Sequence, residues 1–350
     1  MSPLPEPVDL DRPADLPAAL EVFFAPHQGA DGFSNPWGAA SVRGVGEVLR
    51  WQLQSNPFKA AKRRRPSLPV ARDPADAFHT LDEGARIQWL GHATVLVEVD
   101  GVVALIDPIF GRAGVVPRAV PAPLSVDALP HVDAVLLSHG HRDHMDAPSL
   151  RALARRFGEA LLFVTPLGLG RSLPREARRV VELDWWQRVE VRGVSLNLVP
   201  AQHWHQRGPL DRNRALWGGW VIRGSRSVYH SGDTGWFGGF EAIGRVFPGI
   251  DVASLPLGAY EPRWFMGEQH MSPEDSARAF HALGARHFMA MHWGTYDLTD
   301  EPLDHGPWVL LPEVLAAQEI ALERVHVMAH GGALGFVRDA IEPVERAGPA

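Results

Sequence analysis

Residues 136–144 read Leu136-Leu137-Ser138-His139-Gly140-His141-Arg142-Asp143-His144, an apolar run that stops abruptly and is followed by four potential metal ligands within six positions. In extended chain His139 and His141 point the same way, while Asp143 and His144 lie beyond the bend and reach a second point. The arrangement suits two adjacent metal ions rather than one. The competing reading is a solvated His-rich turn, since the chain carries 17 His. The H-x-H-x-D-H order directly after a buried-strand pattern is more specific than chance clustering, and metal binding is the expectation.

Composition narrows the chemistry of such a site. The chain has no Cys, so there are no disulfides, no thiolate zinc cage and no cysteine nucleophile, and any metal site is built from His and carboxylates. At 350 residues and 45% hydrophobic it has room for one large or two ordinary domains with a sizeable core. A net charge of -7 gives no global attraction to nucleic acid, and no nucleic-acid partner is expected. The first thirty residues lack a basic start followed by an apolar segment, and no later apolar run is long enough to span a bilayer. A cytoplasmic protein is expected. Twelve Trp hint at flat apolar surfaces lining a pocket or interface, with core packing as the alternative for most of them.

Taken in order, residues 1–80 are rich in Pro, Gly, Ala and charge with only fragments of periodicity, as at 46–54, and read as an extension wrapped over a core domain at 81–350. Within the extension, Lys59, Lys62, Arg63, Arg64 and Arg65 follow Trp51 and Phe58. That basic stretch beside aromatics suits peripheral contact with an anionic membrane surface; a solvated loop is the rival reading.

The core opens with strands at 86–90, 94–99 and 102–106, the last two joined by the hairpin signal Asp100-Gly101. Residues 134–138 are a buried strand feeding the ligand stretch, followed by a helix with Asp146 as cap, Pro148 at its start and Gly158 past its end. Strands at 161–165 and 180–183, a hairpin over 189–199 turning near Gly193, and another over 216–222 and 227–230 come next. Buried strands at 252–255 and 287–291 flank a helix capped by Ser272, and a helix near 312–322 with strands near Val325 and Leu334 closes the chain. Two of the hairpins finish in an Asp, Asp107 and then Asp233, and an apolar strand follows each. We read a duplicated architecture of two β-rich halves with helices outside.

Three more candidates, His203, Asp233 and His292, fall after predicted strand ends beside a Gly or a Trp. Singly, Asp233 could be a turn residue and His292 a core residue. Together with 136–144 they make five His and two Asp, enough for two metals.

This is the pattern of the metallo-β-lactamase superfamily, an α+β, four-layer αββα sandwich with its site at one edge of two facing sheets. Within it, Trp89-Leu90-Gly91-His92-Ala93-Thr94, Asp107-Pro108-Ile109-Phe110, Glu182-Leu183-Asp184-Trp185-Trp186, Gln202-His203-Trp204, Leu216-Trp217-Gly218 and the run Pro256-Leu257-Gly258-Ala259-Tyr260-Glu261-Pro262-Arg263-Trp264-Phe265-Met266 resemble the N-acylphosphatidylethanolamine-hydrolysing phospholipase D family. The likeness extends from Asn35-Pro36-Trp37 to His292-Trp293-Gly294-Thr295.

The resemblance implies two zinc ions per chain, one held by His139, His141 and His203, the other by Asp143, His144 and His292, with Asp233 bridging both. It implies a zinc-dependent phosphodiesterase of the phospholipase D type, releasing phosphatidic acid and an N-acylethanolamine or another alcohol from a phospholipid. His270 matches a family position that touches substrate phosphate, and Asp143, Asp233 and His270 form the expected catalytic set. Tyr260, Arg263, Trp264, Phe265 and Met266 are expected as a wall for acyl chains, with a core role as the alternative for Trp264 and Phe265. His92 and Asp107, which end or flank strands near the same edge, are expected behind the ligands, holding imidazoles in place, with holding strand ends together as the alternative. In this family the amino-terminal region contributes to lipid-facing and dimer contacts, so a homodimer is an allowed assembly. The rival function is a hydrolase of the same fold acting on another substrate, such as a lactone.

Overall fold

Alternation along the first hairpin sets the layering. In strands Thr94–Val99 and Val102–Ile106, the residues Val95, Val97, Val99, Ala104 and Ile106 enter one buried cluster, and Leu96, Val103 and Leu105 enter another. Successive strand side chains leave on opposite faces, so this sheet is covered on both. The connecting Asp100-Gly101 has φ of 49° and 75°, the left-handed pair that a two-residue hairpin requires.

The computed structural model describes residues 3–38, 43–79, 85–337 and 340–343. The first of two eight-stranded sheets runs Ala340–Pro343, Ala333–Val337, Arg86–Gly91, Thr94–Val99, Val102–Ile106, Ala134–Leu136, Leu162–Pro166 and Arg179–Leu183. The second runs Val8–Asp9, Gln187–Val191, Val194–Val199, Gly219–Arg223, Ser227–His230, Val252–Pro256, His287–Met291 and Val325–His326. Each sheet passes antiparallel through its hairpins and then parallel through three further strands.

One cluster joins inner residues of both sheets, among them Trp89, Val97, Ile106 and Leu136 with Leu196, Leu198, Trp220 and Tyr229. Helix Ala147–Phe157 covers the outer face of the first sheet through Leu150, Leu153 and Ala154 against Leu105, Val135 and Phe163. Helices Gly239–Val246 and Pro273–Leu283 cover the second through Phe240, Ile243, Phe280 and Leu283. The result is a four-layer αββα sandwich, as expected.

The duplication extends to side chains. Asp133 precedes the first parallel strand of one half and Asp251 that of the other. The Asp133 carboxylate accepts the Val103 N–H at 2.9 Å and the Asp251 carboxylate the Ser227 N–H at 2.9 Å, each at the start of its hairpin's return strand. Arg192 grips Asp133 with two contacts of 2.5 and 2.7 Å, and Arg286 lies 3.2 Å from Asp251.

Capping decides where the helices begin. The Asp146 side chain accepts from Ser149 N, and Gly158 ends that helix at φ 57°. Ser272 and Asp275 form a reciprocal capping box. Three expectations need correction, the first being the strand expected from Leu216, which begins at Gly219. The strand after residue 133 is Ala134–Leu136, because the Ser138 N–H is drawn to Asp107 Oδ1 at 2.7 Å and the backbone turns out of the ladder. The last helix is Leu311–Ala317, preceded by a wider turn at Gly306–Leu310, and it stops at Gln318 rather than near 322.

Val8 and Asp9 pair with the edge strand at Arg188 and Gln187. Phe23 meets Phe237 edge-on at 5.6 Å, and Trp37 stacks on Trp185 at 5.4 Å. Helix Val45–Leu53 follows, with Trp51 donating to Asp300 at 3.1 Å. The basic stretch does not face solvent as one patch: Lys62 pairs with Asp297, and Arg64 reaches the buried Asp304 at 2.9 Å, while Lys59, Arg63 and Arg65 are exposed.

Asp133→Ala should cost about 1–3 kcal/mol in denaturant unfolding, because it strands a buried N–H, whereas the exposed Asp127→Ala stays within about 0.5 kcal/mol. Burial works against charge on Asp133, but Arg192 and the Val103 N–H hold its carboxyl below the ordinary range. Its stabilisation is therefore present above the ordinary carboxyl pKa and drains as pH falls through the lowered one.

Candidate metal centre

The ends of the two hairpins meet at one edge of the sandwich. His92 and His292 follow strands of different sheets, and the His292 N–H donates to the His92 carbonyl at 2.8 Å. His92, Asp107 and His292 have φ of 53°, 44° and 56°, a left-handed conformation in three non-glycine residues at one site, held by the surrounding packing.

Two sets of side-chain atoms converge there. In one, His139 Nε2 lies 2.9 Å from His141 Nδ1, which lies 3.1 Å from His203 Nε2. Asp233 Oδ2 stands 3.8 Å from His139 Nε2 and 3.9 Å from His203 Nε2. In the other, Asp233 Oδ1 stands 3.2 Å from His144 Nε2 and 3.0 Å from His292 Nε2, and Asp143 Oδ2 lies 3.7 Å from His144 Nε2. The two oxygens of Asp233 thus face different sets. The structure brings together all seven residues singled out in the sequence.

The residues behind these sets decide which imidazole nitrogen carries hydrogen. Asp107 Oδ2 accepts from the Ser138 hydroxyl at 2.5 Å and from His144 Nδ1 at 2.8 Å. Ser138, its proton committed to Asp107, accepts from His139 Nδ1 at 2.9 Å. The Gln269 carbonyl accepts from His203 Nδ1 at 3.2 Å. With Nδ1 protonated in His139, His144 and His203, their Nε2 atoms turn lone pairs inward.

Those lone pairs have too few protons to meet. At most one hydrogen can sit on His141 Nδ1, yet two Nε2 lone pairs point at it. His144 Nε2, His292 Nε2 and Asp233 Oδ1 are buried, close together and without a hydrogen bond. Acceptors crowded this way are stabilised by a cation, and the His and carboxylate set suits zinc, iron or manganese.

The protein's own charges tell the same story. Burial, reinforced by neighbouring imidazoles, holds His139 and His203 well below their ordinary pKa. Burial takes His141 to about 4 against the pull of Asp143 and Asp233, and takes His92 to about 3 with help from His292. His144 goes the other way: burial disfavours its charge, but Asp233 and Asp143 outweigh that and raise it well above the ordinary value. Burial likewise opposes charge on Asp143 and Asp233, and His144 outweighs it and holds both carboxyls below their usual range. Positive charge is favoured between the carboxylates, where His144 sits, and His139, His141 and His203 are held neutral, as metal binding requires.

Gly140 is what lets the ligand loop pass. A Cβ there would stand 2.1 Å from the His205 ring, a buried side chain, and 2.9 Å from Leu169.

A cavity of about 440 Å³ opens over Asp143, Asp233 and His292. Phe265, Met266 and His270 line it as expected, and His270 Nδ1 lies 3.9 Å from Asp233 Oδ2. Tyr260, Arg263 and Trp264 do not line it. Tyr260 is buried and bonds His305 at 2.6 Å; Arg263 binds the His270 carbonyl and Asp275; Trp264 donates to Gln54 and lies under Arg50. The short helix Arg263–Met266 turns only part of that run toward the cavity. His92 Nε2 lies 3.1 Å from Asp143 Oδ2, so it holds a carboxylate rather than an imidazole.

The sequence reading missed Ser138 as the link between Asp107 and His139, although it stands inside the opening stretch. It missed the Gln269 carbonyl, which carries no side-chain signal. Arg43, Val48, Trp51, Trp204 and Thr299 also reach the wall, from segments far apart in the chain.

This geometry defines a hydrolase-type centre on a metallo-β-lactamase sandwich, and comparison with known proteins agrees. The profile described as "Beta-lactamase superfamily domain" matches residues 104–293. A metallo hydrolase from the archaeon Ignicoccus hospitalis superimposes with a TM-score of 0.56 at 23% identity, over 71% of this chain and 97% of its own, which bears on the fold. A metal-dependent hydrolase of Methanopyrus kandleri is 32% identical over 68% of this chain and 94% of its length. N-acyl-phosphatidylethanolamine-hydrolyzing phospholipase D 1 of Caenorhabditis elegans is 35% identical over 290 residues, 78% of this chain and 81% of the relative. The chain belongs to the N-acylphosphatidylethanolamine-hydrolysing phospholipase D family of the metallo-β-lactamase superfamily, and it is a hydrolase.

Asp107→Asn would set an amide N–H against His144 Nδ1–H and should weaken metal affinity about 10–100-fold in chelator competition. Gly140→Ala should lower bound metal in elemental analysis, since His205 must move.

Proposed function

We propose that the protein is a dizinc phosphodiesterase of the phospholipase D type, hydrolysing N-acylphosphatidylethanolamine or a related glycerophospholipid to phosphatidic acid and an N-acylethanolamine or other alcohol. The observation that carries this reading is Asp233, whose two oxygens serve two adjacent ligand sets on the floor of a largely apolar cavity. The named activity of the C. elegans relative supports it.

His139, His141 and His203 would hold one zinc, Asp143, His144 and His292 the other, and Asp233 both. Zinc ions so held supply Lewis acidity and lower the pKa of coordinated water toward neutrality. The chain's own residues do the rest. Asp233 sets the spacing of the two sets, and Asp107 with Ser138 keeps His139 and His144 in the tautomer that offers Nε2. His270, at the cavity wall beside Asp233, is placed to meet a phosphate oxygen. Phe265, Met266, Val48 and Trp51 give acyl chains an apolar wall that excludes water from the scissile bond.

Helix Val45–Leu53 joins this cavity to the protein surface. Val48 and Trp51 line the cavity, while Val45, Leu49 and Leu53 are exposed. Among the described residues no helix is long and apolar enough to cross a membrane. We read this helix and the exposed Lys59, Arg63 and Arg65 as a peripheral contact with an anionic membrane, made by a cytoplasmic protein and compatible with a homodimer.

Purified protein should carry two zinc equivalents and hydrolyse phospholipid vesicles, with activity lost on chelation and restored by zinc. Cleavage of lactones by fully loaded protein that leaves plain and N-acylated phosphatidylethanolamine intact would sink the proposal. Arg63→Glu with Arg65→Glu should weaken binding to anionic vesicles at least about tenfold at low salt; unchanged binding returns these residues to a solvated loop.

A further inference from the structure

Beside the metal centre lies a second depression of about 360 Å³, lined by Arg112, Gly114, Arg142, Met145, Asp146 and Arg207, among others. A neighbouring opening shares Gly114 and Arg142 with it and reaches Asp143 and Leu298. Arg142 also lines the cavity over the metal centre, so one guanidinium borders all three spaces.

The three arginines have protein partners of one kind only. Arg112 donates to the Val115 carbonyl, Arg142 to the Arg207 carbonyl at 3.4 Å, and Arg207 to the Gly140 and Met145 carbonyls at 2.8 Å each. These bonds hold the side chains through neutral carbonyls, and among the described residues none of the three makes an ion pair. The nearby acids are engaged elsewhere: Asp146 Oδ2 caps Ser149 at 3.1 Å, Asp211 Oδ1 accepts the Arg207 and Gly208 N–H groups, and Asp143 belongs to the metal centre. Burial, and then the proximity of Arg142, depresses the pKa of Arg207 against the opposing pull of Asp211 and Asp146.

Three guanidinium groups held by carbonyls and free of ion pairs, around a concave space whose one lining carboxylate, Asp146, already caps a helix, are suited to an oxyanion, which they recognise by charge-assisted, bidentate hydrogen bonds. We propose that Arg112, Arg142 and Arg207 form a subsite for a phosphate-type anion, distinct from the phosphate that the metal centre would handle. The anion is either a phosphomonoester on the headgroup of the lipid substrate or free phosphate. The headgroup arm rests on the phosphodiesterase reading above; the anion site itself does not.

The test uses metal-loaded protein and Arg112→Gln, chosen because Arg112 is exposed and makes no contact with a metal-ligand candidate; unchanged metal content reports an intact fold. Inorganic phosphate titrated calorimetrically at low salt should bind the variant with one equivalent fewer than wild type, or with that equivalent weakened about tenfold or more. Equal stoichiometry and affinity in both proteins overturns the subsite. In parallel, kcat/KM is compared for short-chain phosphatidylinositol phosphate and phosphatidylinositol. A fall of about tenfold in their ratio in Arg112→Gln assigns the anion to the substrate headgroup; an unchanged ratio with lost phosphate binding assigns the site to free phosphate. If neither lipid is cleaved, the headgroup arm fails while the calorimetry still decides the subsite, and the phosphodiesterase reading stands or falls on the phosphatidylethanolamine vesicles above.

Discussion

The buried carboxylate of Asp107 takes three donors at once: the Ser138 N–H, the Ser138 hydroxyl and His144 Nδ1. A buried carboxylate is costly unless its lone pairs are filled, and here every donor comes from the loop that carries the metal-ligand candidates. One interaction therefore ends the first hairpin, turns the next strand out of its ladder, and sets the tautomers of two imidazoles. The lone pairs that crowd around Asp233 are a direct consequence.

Duplication places the second half of the constellation. Each half sends an antiparallel hairpin into a parallel run, and the loops after those strands emerge on a common edge. His203, Asp233 and His292 arrive there from the second half, as His139, His141, Asp143 and His144 do from the first. Asp107 and Asp233 are not equivalent in role, although both follow a hairpin. Asp107 comes directly after its strand and stays behind the ligand candidates, whereas Ser231-Gly232 carries Asp233 two residues further, into their midst.

The wall over this floor is assembled differently. Phe265 and Met266 face the cavity, but Tyr260, Arg263 and Trp264 from the same run turn to His305, Asp275 and Gln54. Further parts come from Arg43 and the amino-terminal helix after it, from Trp204 and Gln206, and from the 298–299 segment. The same 297–304 region holds Lys62 and Arg64 by ion pairs, which anchors the chain after that helix and divides the basic stretch between anchoring and exposed residues.

Sequence by itself determined most core strands, the caps at Asp146 and Ser272, the duplicated plan and the seven converging residues, because strand alternation, capping chemistry and His/Asp spacing are local and leave local marks, whereas the edge strands Val8–Asp9 and Ala340–Pro343 left none. It also carried the family resemblance in runs of neighbouring residues. Only the tertiary structure decided which oxygen of Asp233 faces which set, that Gln269 offers His203 a carbonyl, and which residues of the 256–266 run reach the cavity. It likewise gathered Arg112, Arg142 and Arg207, scattered through the sequence, around one depression. These are outcomes of packing between segments 30 to 250 residues apart, and a backbone carbonyl or a side-chain direction has no letter in the sequence to announce it.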